Sequence, residues 1–182
     1  MDKMCKYEVY HASDKSNVKQ ILKDRFIYKP NDAHWLGNGV YFFLDKTLAK
    51  KWSEQKVRGY GKIIIPSYIK CQVEINENNV LDLRFLEEYN FAKEAFSNFV
   101  ENISGKYDLE NCDYTKIRCL FFNYIKKQYD FYCIIANFCE RNNLDNNTLC
   151  DREFQNIKIP YIEVQMCLNR NEYIVRKEEV EI

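Results

Sequence analysis

The chain has 182 residues, with 27 Lys+Arg against 27 Asp+Glu, so its formal net charge is zero. That length suits one domain spanning 1–182, and 46% hydrophobic with 15% aromatic residues supplies a packed core and excludes disorder. No apolar run approaches the roughly 18 residues of a membrane span, and zero net charge excludes a polyanion binder held by bulk electrostatics. The balance is uneven, however. Residues 1–62 carry 13 Lys+Arg and 7 Asp+Glu, while residues 63–182 carry 14 and 20. Either sampling or an anionic ligand meeting the N-terminal third accounts for that asymmetry.

In chain order, Tyr7–Tyr10 alternates and predicts a short strand ending at His11. Ser13-Asp14-Lys15-Ser16 offers N-cap chemistry for an amphipathic helix over Ser16–Asp24. A loop through Lys29-Pro30-Asn31-Asp32 leads to Trp35-Leu36-Gly37-Asn38-Gly39 and a buried strand, Val40–Phe43. Asp45 or Thr47 caps a second helix, Leu48–Gln55, and Gly59-Tyr60-Gly61 reads as a turn or flexible loop. Ile63–Ile65 and Tyr68–Ile75 read as strand, with Pro66 at a bend or bulge, then a turn at Asn76–Asn79 and a short strand or helix entry at Val80–Leu83.

Arg84–Ile103 predicts a helix with Phe85, Leu86, Tyr89, Ala92, Phe96, Phe99 and Val100 on one face. Lys116–Glu140 reads as one or two further helices, so about 84–141 forms a helical insert. Asn142–Asp151 is a polar loop, and the strands Tyr161–Leu168 and Tyr173–Lys177 close the chain as a hairpin. The layout is α+β. The charged run Arg176-Lys177-Glu178-Glu179 reads as solvated.

There are eight cysteines and two histidines, with no C-x-x-C pair. The expectation is therefore reduced, buried thiols and no metal site. The first six residues hold no apolar signal core, so no cleaved signal peptide is expected.

Two features carry chemistry. One is Val9-Tyr10-His11-Ala12-Ser13, a strand that delivers a histidine followed by small residues. The other is Trp35-Leu36-Gly37-Asn38-Gly39-Val40-Tyr41-Phe42, followed by a helix holding Ala49 and Trp52. Together, over residues 7–55, they resemble the ADP-ribosyltransferase superfamily, in its diphtheria-toxin and poly(ADP-ribose)-polymerase branch with a His-Tyr-acid/amide signature. Trp52 falls 11 residues after Tyr41, where that branch places its second aromatic. The form resembles small bacterial members.

The resemblance implies a fold of two mainly antiparallel sheets, split by an NAD+ cleft, with flanking helices. It implies NAD+ as substrate, with its nicotinamide–ribose bond breaking through an oxocarbenium-like cation. His11 would bond an adenosine-side ribose hydroxyl, and the Ala12 and Ser13 segment would grip the nicotinamide amide. Tyr41 and Trp52 would sandwich the ring, and Gly37 and Gly39 would allow close backbone approach. Lys15, Lys19, Lys50, Lys51 and Arg58 suit the pyrophosphate.

The branch's third residue sits on a late strand. Gln165, with Glu163 on the same side-chain phase, is one candidate; Glu172, in Glu172-Tyr173-Ile174-Val175, is the other. His34 reads as a surface or lid residue. The expectation is a cytoplasmic mono-ADP-ribosyltransferase acting on a protein or nucleic acid, with no membrane. The resemblance extends to toxins of toxin–antitoxin or phage-defence systems, which implies an antitoxin or immunity partner. NAD+ hydrolysis, or an inactive nucleotide-binding module on the same fold, is the alternative.

Overall fold

The structure, a computed structural model, describes residues 3–60, 65–103, 113–138 and 162–180, with backbone alone over 55–60. Among the described residues, seven strands and four helices follow in the order β1 (Met4–Asp14), α1 (Lys15–Lys23), β2 (Val40–Phe43), α2 (Lys46–Tyr60), β3 (Pro66–Asn76), β4 (Val80–Asp82), α3 (Leu86–Ile103), α4 (Tyr114–Gln128), β5 (Cys133–Phe138), β6 (Glu163–Leu168) and β7 (Ile174–Val180). The fold is mixed α+β. The expectations for Gly61, Ile63-Ile64, Asn142–Asp151 and Tyr161 fall outside the described residues.

Local chemistry explains the boundaries. Asp14 accepts a bond from the Ser16 N–H at 2.9 Å and starts α1. Asp45 accepts from the Thr47 N–H at 2.6 Å and starts α2, which runs on through Gly59 where a turn was expected. Pro66 opens β3, a position that needs no ladder donor. Asn76 accepts from the Asn78 N–H at 2.9 Å in the 3-10 turn Glu77–Asn79.

The strands form one sheet in the order β4-β5-β6-β2-β1-β3-β7, antiparallel throughout except for the parallel β4–β5 pair. The expected pair of sheets is thus one sheet in two halves, joined where β1 and β2 share a single registered pair, Tyr10↔Phe43. β1 and β3 ladder along their full lengths, Met4↔Asn76 to Asp14↔Pro66.

One face of both halves feeds a common core: Val9, Ile69, Cys71, Val73 and Ile75 pack with Phe42, Cys133, Ile135, Met166 and Leu168, closed by Val18 of α1 and by Phe26. On the other face, α3 and α4 bury Ala92, Ala95, Phe99, Ile117, Phe121 and Ile125 against Leu81, Ile134 and Cys167. α2 covers the β1–β3 end, where Leu48 and Ala49 meet Ala12, Phe43 and Tyr68.

Three expectations are corrected. The supposed helical insert 84–141 contains β5, which lies between β4 and β6 in the sheet. A short apolar run such as Phe131–Ala136, buried from Cys133 on, does not reveal its period, and the turn at Asp130, with φ of 54°, separates it from α4. The closing strands are not a hairpin. β6 pairs with β2 and β5, whereas β7 pairs with β3 at the opposite edge, so Asn169–Tyr173 crosses from one half to the other. Phe85, just before α3, and Leu86 and Tyr89 within it are exposed, and the buried stripe begins at Ala92.

Candidate functional site

The seam between β1 and β2 brings the two sequence motifs together. Beyond Tyr10↔Phe43 the two strands no longer pair, and the His11 side chain takes over: its Nδ1 lies 2.8 Å from the Tyr41 carbonyl oxygen. A carbonyl only accepts, so Nδ1 carries the proton. Burial lowers the His11 pKa from its ordinary value, against the weaker opposing effect of that bond, so the ring is neutral near pH 7. Nε2 is then the acceptor nitrogen. The imidazole is fixed edge-on by Phe26 (5.1 Å) and Phe42 (5.9 Å). Phe26 is itself held by Asn171, whose side chain accepts from the Phe26 N–H at 3.0 Å and donates to its carbonyl at 3.1 Å.

Alternation places His11 and Tyr41 on opposite faces. His11 follows Val9 and Ile69 into the common core, while Tyr41, Phe43, Cys167 and Gln165 share the other face. Ala12 also lies on that second face, buried with Phe43 and Ala49, and Ser13 accepts from the Asn17 side-chain amide at 3.2 Å.

Tyr41 is anchored through its hydroxyl, which accepts from the Leu36 N–H at 2.7 Å and donates to the Gly37 carbonyl at 2.8 Å. Burial raises its pKa, so the phenol keeps its proton. Half-buried His34 lies beside Tyr41: the rings are 5.6 Å apart, and Nδ1 donates to Asn38 Oδ1 at 3.1 Å. Trp52 packs beside Phe43, with centroids 6.4 Å apart. Phe43 therefore stands between the two aromatics expected to sandwich a ring. A planar group gripped by both would lie over Phe43.

The glycines are needed for packing as much as for any ligand. Gly37 has φ of 73°, and a Cβ there would meet Asn123 Oδ1 at 2.7 Å. At Gly39 a Cβ would fall 2.6 Å from Cys167 Sγ and 2.8 Å from the Leu168 carbonyl oxygen. The turn seats directly on α4 and β6, at distances no real side chain tolerates.

Gln165 and Glu163 lie on β6, next to β2, with Gln165 opposite Phe43 and Ala136. The Gln165 amide nitrogen donates to Glu163 Oε1. A carboxylate only accepts, so the bond fixes which way the amide faces and leaves Gln165 Oε1 as an acceptor. Glu172 is elsewhere. It occupies the 3-10 turn Asn171–Tyr173, its side chain 62% exposed and paired with Arg170 at 3.2 Å. Of the lysines expected near a pyrophosphate, Lys50 lies 4.0 Å from Glu54 on its own helix, and the Arg58 side chain is outside the described residues.

Sequence reading missed three residues of this region: Asn171, Asn123 and Lys126. Asn123 Oδ1 accepts from the Asn38 N–H at 2.7 Å, and Lys126 Nζ donates to the Asn38 carbonyl at 2.9 Å. The available signal was polar side chains three residues apart among Phe121, Phe122 and Ile125 on the apolar stripe of α4. Cys71, Cys119, Cys133 and Cys167 are free and buried, and burial pushes the Cys71 thiol up to about 12. Among the described residues, no helix is long and apolar enough to cross a membrane.

The sequence matches no protein-family model. It is similar to an uncharacterized protein of Methanocaldococcus jannaschii, 30% identical over 81 residues, which are 43% of this chain and 38% of the archaeal protein. The matched part thus spans well under half of that relative.

Proposed function

We propose that the protein is a mono-ADP-ribosyltransferase that uses NAD+ to modify a macromolecule. The observation that carries this reading is the His11–Tyr41 contact. Two motif residues 30 positions apart meet at the point where the sheet opens.

In this reading NAD+ threads the seam where β1 and β2 stop pairing, and the neutral His11 offers Nε2 to a ribose hydroxyl on its own face of the sheet, opposite the face that carries Tyr41. Tyr41 and Trp52 hold the nicotinamide, and the Ala12 and Ser13 segment lies beside it. The bond from ribose C1′ to the nicotinamide nitrogen breaks, and its electron pair leaves with nicotinamide, cancelling the ring's positive charge. A nucleophile on the acceptor then bonds C1′ and loses a proton.

Gln165 is the better third residue, because it shares a sheet face with Tyr41 and Phe43, whereas Glu172 is turned to Arg170. Its oriented carbonyl accepts from the nicotinamide-ribose hydroxyl. Glu163 beside it supplies the negative charge that a glutamine lacks, stabilising the developing cation. A bacterial toxin role with a neutralising partner, in the cytoplasm, belongs to the same proposal and rests on the resemblance alone.

The test is incubation with NAD+ labelled in its adenosine half, with and without cell lysate. Label carried onto protein or nucleic acid, with nicotinamide released, supports transfer. Free ADP-ribose without transfer would reassign the site as an NAD+ glycohydrolase. NAD+ binding without turnover would make it an inactive module.

A further inference from the structure

Lys126 is 5% exposed on α4, and among the described residues no carboxylate pairs with it. An ammonium removed from water without a counter-ion is costly, so what it bonds to matters. Its Nζ donates to the Asn38 carbonyl at 2.9 Å and to Cys167 Sγ at 3.1 Å. Burial raises the Cys167 pKa while Lys126 opposes it, so sulfur remains a thiol and accepts the bond in neutral form. That thiol reaches toward the Gly37 carbonyl at 3.6 Å, the same oxygen that accepts from the Tyr41 hydroxyl.

We infer that Lys126 is a positioning residue whose buried charge fixes the Gly37-Asn38-Gly39 turn and, through it, the seat of Tyr41. The peptide bonds of the described chain include no cis form. Holding the Asn38 oxygen toward Lys126 therefore turns the Gly39 N–H the opposite way, away from α4. Asn123 secures the other side of Asn38 through its N–H, so the central peptides of the turn are held from one helix, at residues one turn apart. A neutral side chain in place of Lys126 would leave the Asn38 carbonyl unbonded under the turn. That this seat serves NAD+ rests on the function proposed above; that Lys126 fixes it does not.

The test uses Lys126→Met, which keeps the length of the side chain and removes both of its hydrogen bonds. Two quantities are read: backbone hydrogen exchange over 36–41 in the ligand-free protein, and KM and kcat for NAD+. Exchange should quicken at least about tenfold, and KM should rise by about tenfold or more while kcat falls less. Ile125→Val, at a fully buried position of the same helix, controls for lost packing and should leave both readouts within about twofold of wild type. Wild-type exchange in Lys126→Met overturns the inference. So does an equal change in Ile125→Val at matched Tm. Absence of NAD+ binding and turnover in the wild type would sink the proposed function, while the exchange result would still decide the role of Lys126.

Discussion

The two halves of the sheet hold their shares of the seam in different ways. In the β1-β3-β7 half, regular ladders carry His11, and the outer face bears exposed ion pairs such as Lys6–Glu74 (2.8 Å) and Lys70–Glu8 (2.6 Å). In the β4-β5-β6-β2 half, β2 has only four residues. Its approach from 31 to 39 is tied down by a few partly buried polar bonds to α4: the Cys119 thiol to the Asn31 carbonyl (3.1 Å), the Asn38 N–H to Asn123, and Lys126 to the Asn38 carbonyl. A ladder spreads its strength over many equivalent bonds. A buried network concentrates it in a few groups that each become costly when unpaired. Substitutions should therefore be well tolerated on the first half and poorly tolerated around the turn.

The sharpest contrast lies among the three candidate carboxylate and amide positions. Gln165→Ala should lower NAD+ turnover by roughly a hundredfold, with Glu163→Gln also impaired, while Glu172→Ala stays near wild type. Steady-state nicotinamide release checks this, and a large loss in Glu172→Ala alone would move the site to the crossing turn. Next comes the packing of the turn. Gly39→Ala should destabilise by about 1–3 kcal/mol, since Cys167 Sγ and the Leu168 carbonyl must both shift, and denaturant unfolding measures it.

The pH dependence follows from His11. Its pKa is lowered in the fold by burial, so the unfolded chain takes up a proton first as pH falls below the ordinary imidazole value of 6.5. The stability contribution is fully present above that value and is lost between it and the depressed folded pKa. Thermal unfolding from pH 8 to pH 5 should show the loss, and His11→Phe should flatten that part of the profile. The smallest effect belongs to the ladder half: Lys6→Ala should change stability by about 0.5 kcal/mol or less. A cost several times larger would erase the contrast between the halves.

Much of the fold was legible along the chain. Val40–Phe43 is a strand to the residue, and Asp14 caps the first helix, because both signals are local. Non-local features were not. β5 reads as helix because a buried strand and a buried helix turn have the same composition over six residues. The apparent hairpin of β6 and β7 parts because each pairs elsewhere in the sheet, β6 between β2 and β5 and β7 along β3. Lys177, taken as a solvated residue, donates at 2.6 Å to the Ile21 carbonyl and also to that of Asp24, capping α1 from across the sheet. At the site, His11 and Tyr41 stand out in sequence as motif residues, but their contact runs through the Tyr41 backbone, which no side-chain pattern encodes.

The most direct measurement is nicotinamide release from NAD+ by the wild type and by His11→Ala, with both proteins shown folded by near-ultraviolet circular dichroism. Release by the wild type, falling about a hundredfold or more in His11→Ala, is the expected result. No release and no NAD+ binding by the folded wild type, or equal release by both proteins, would contradict an NAD+ site at the seam.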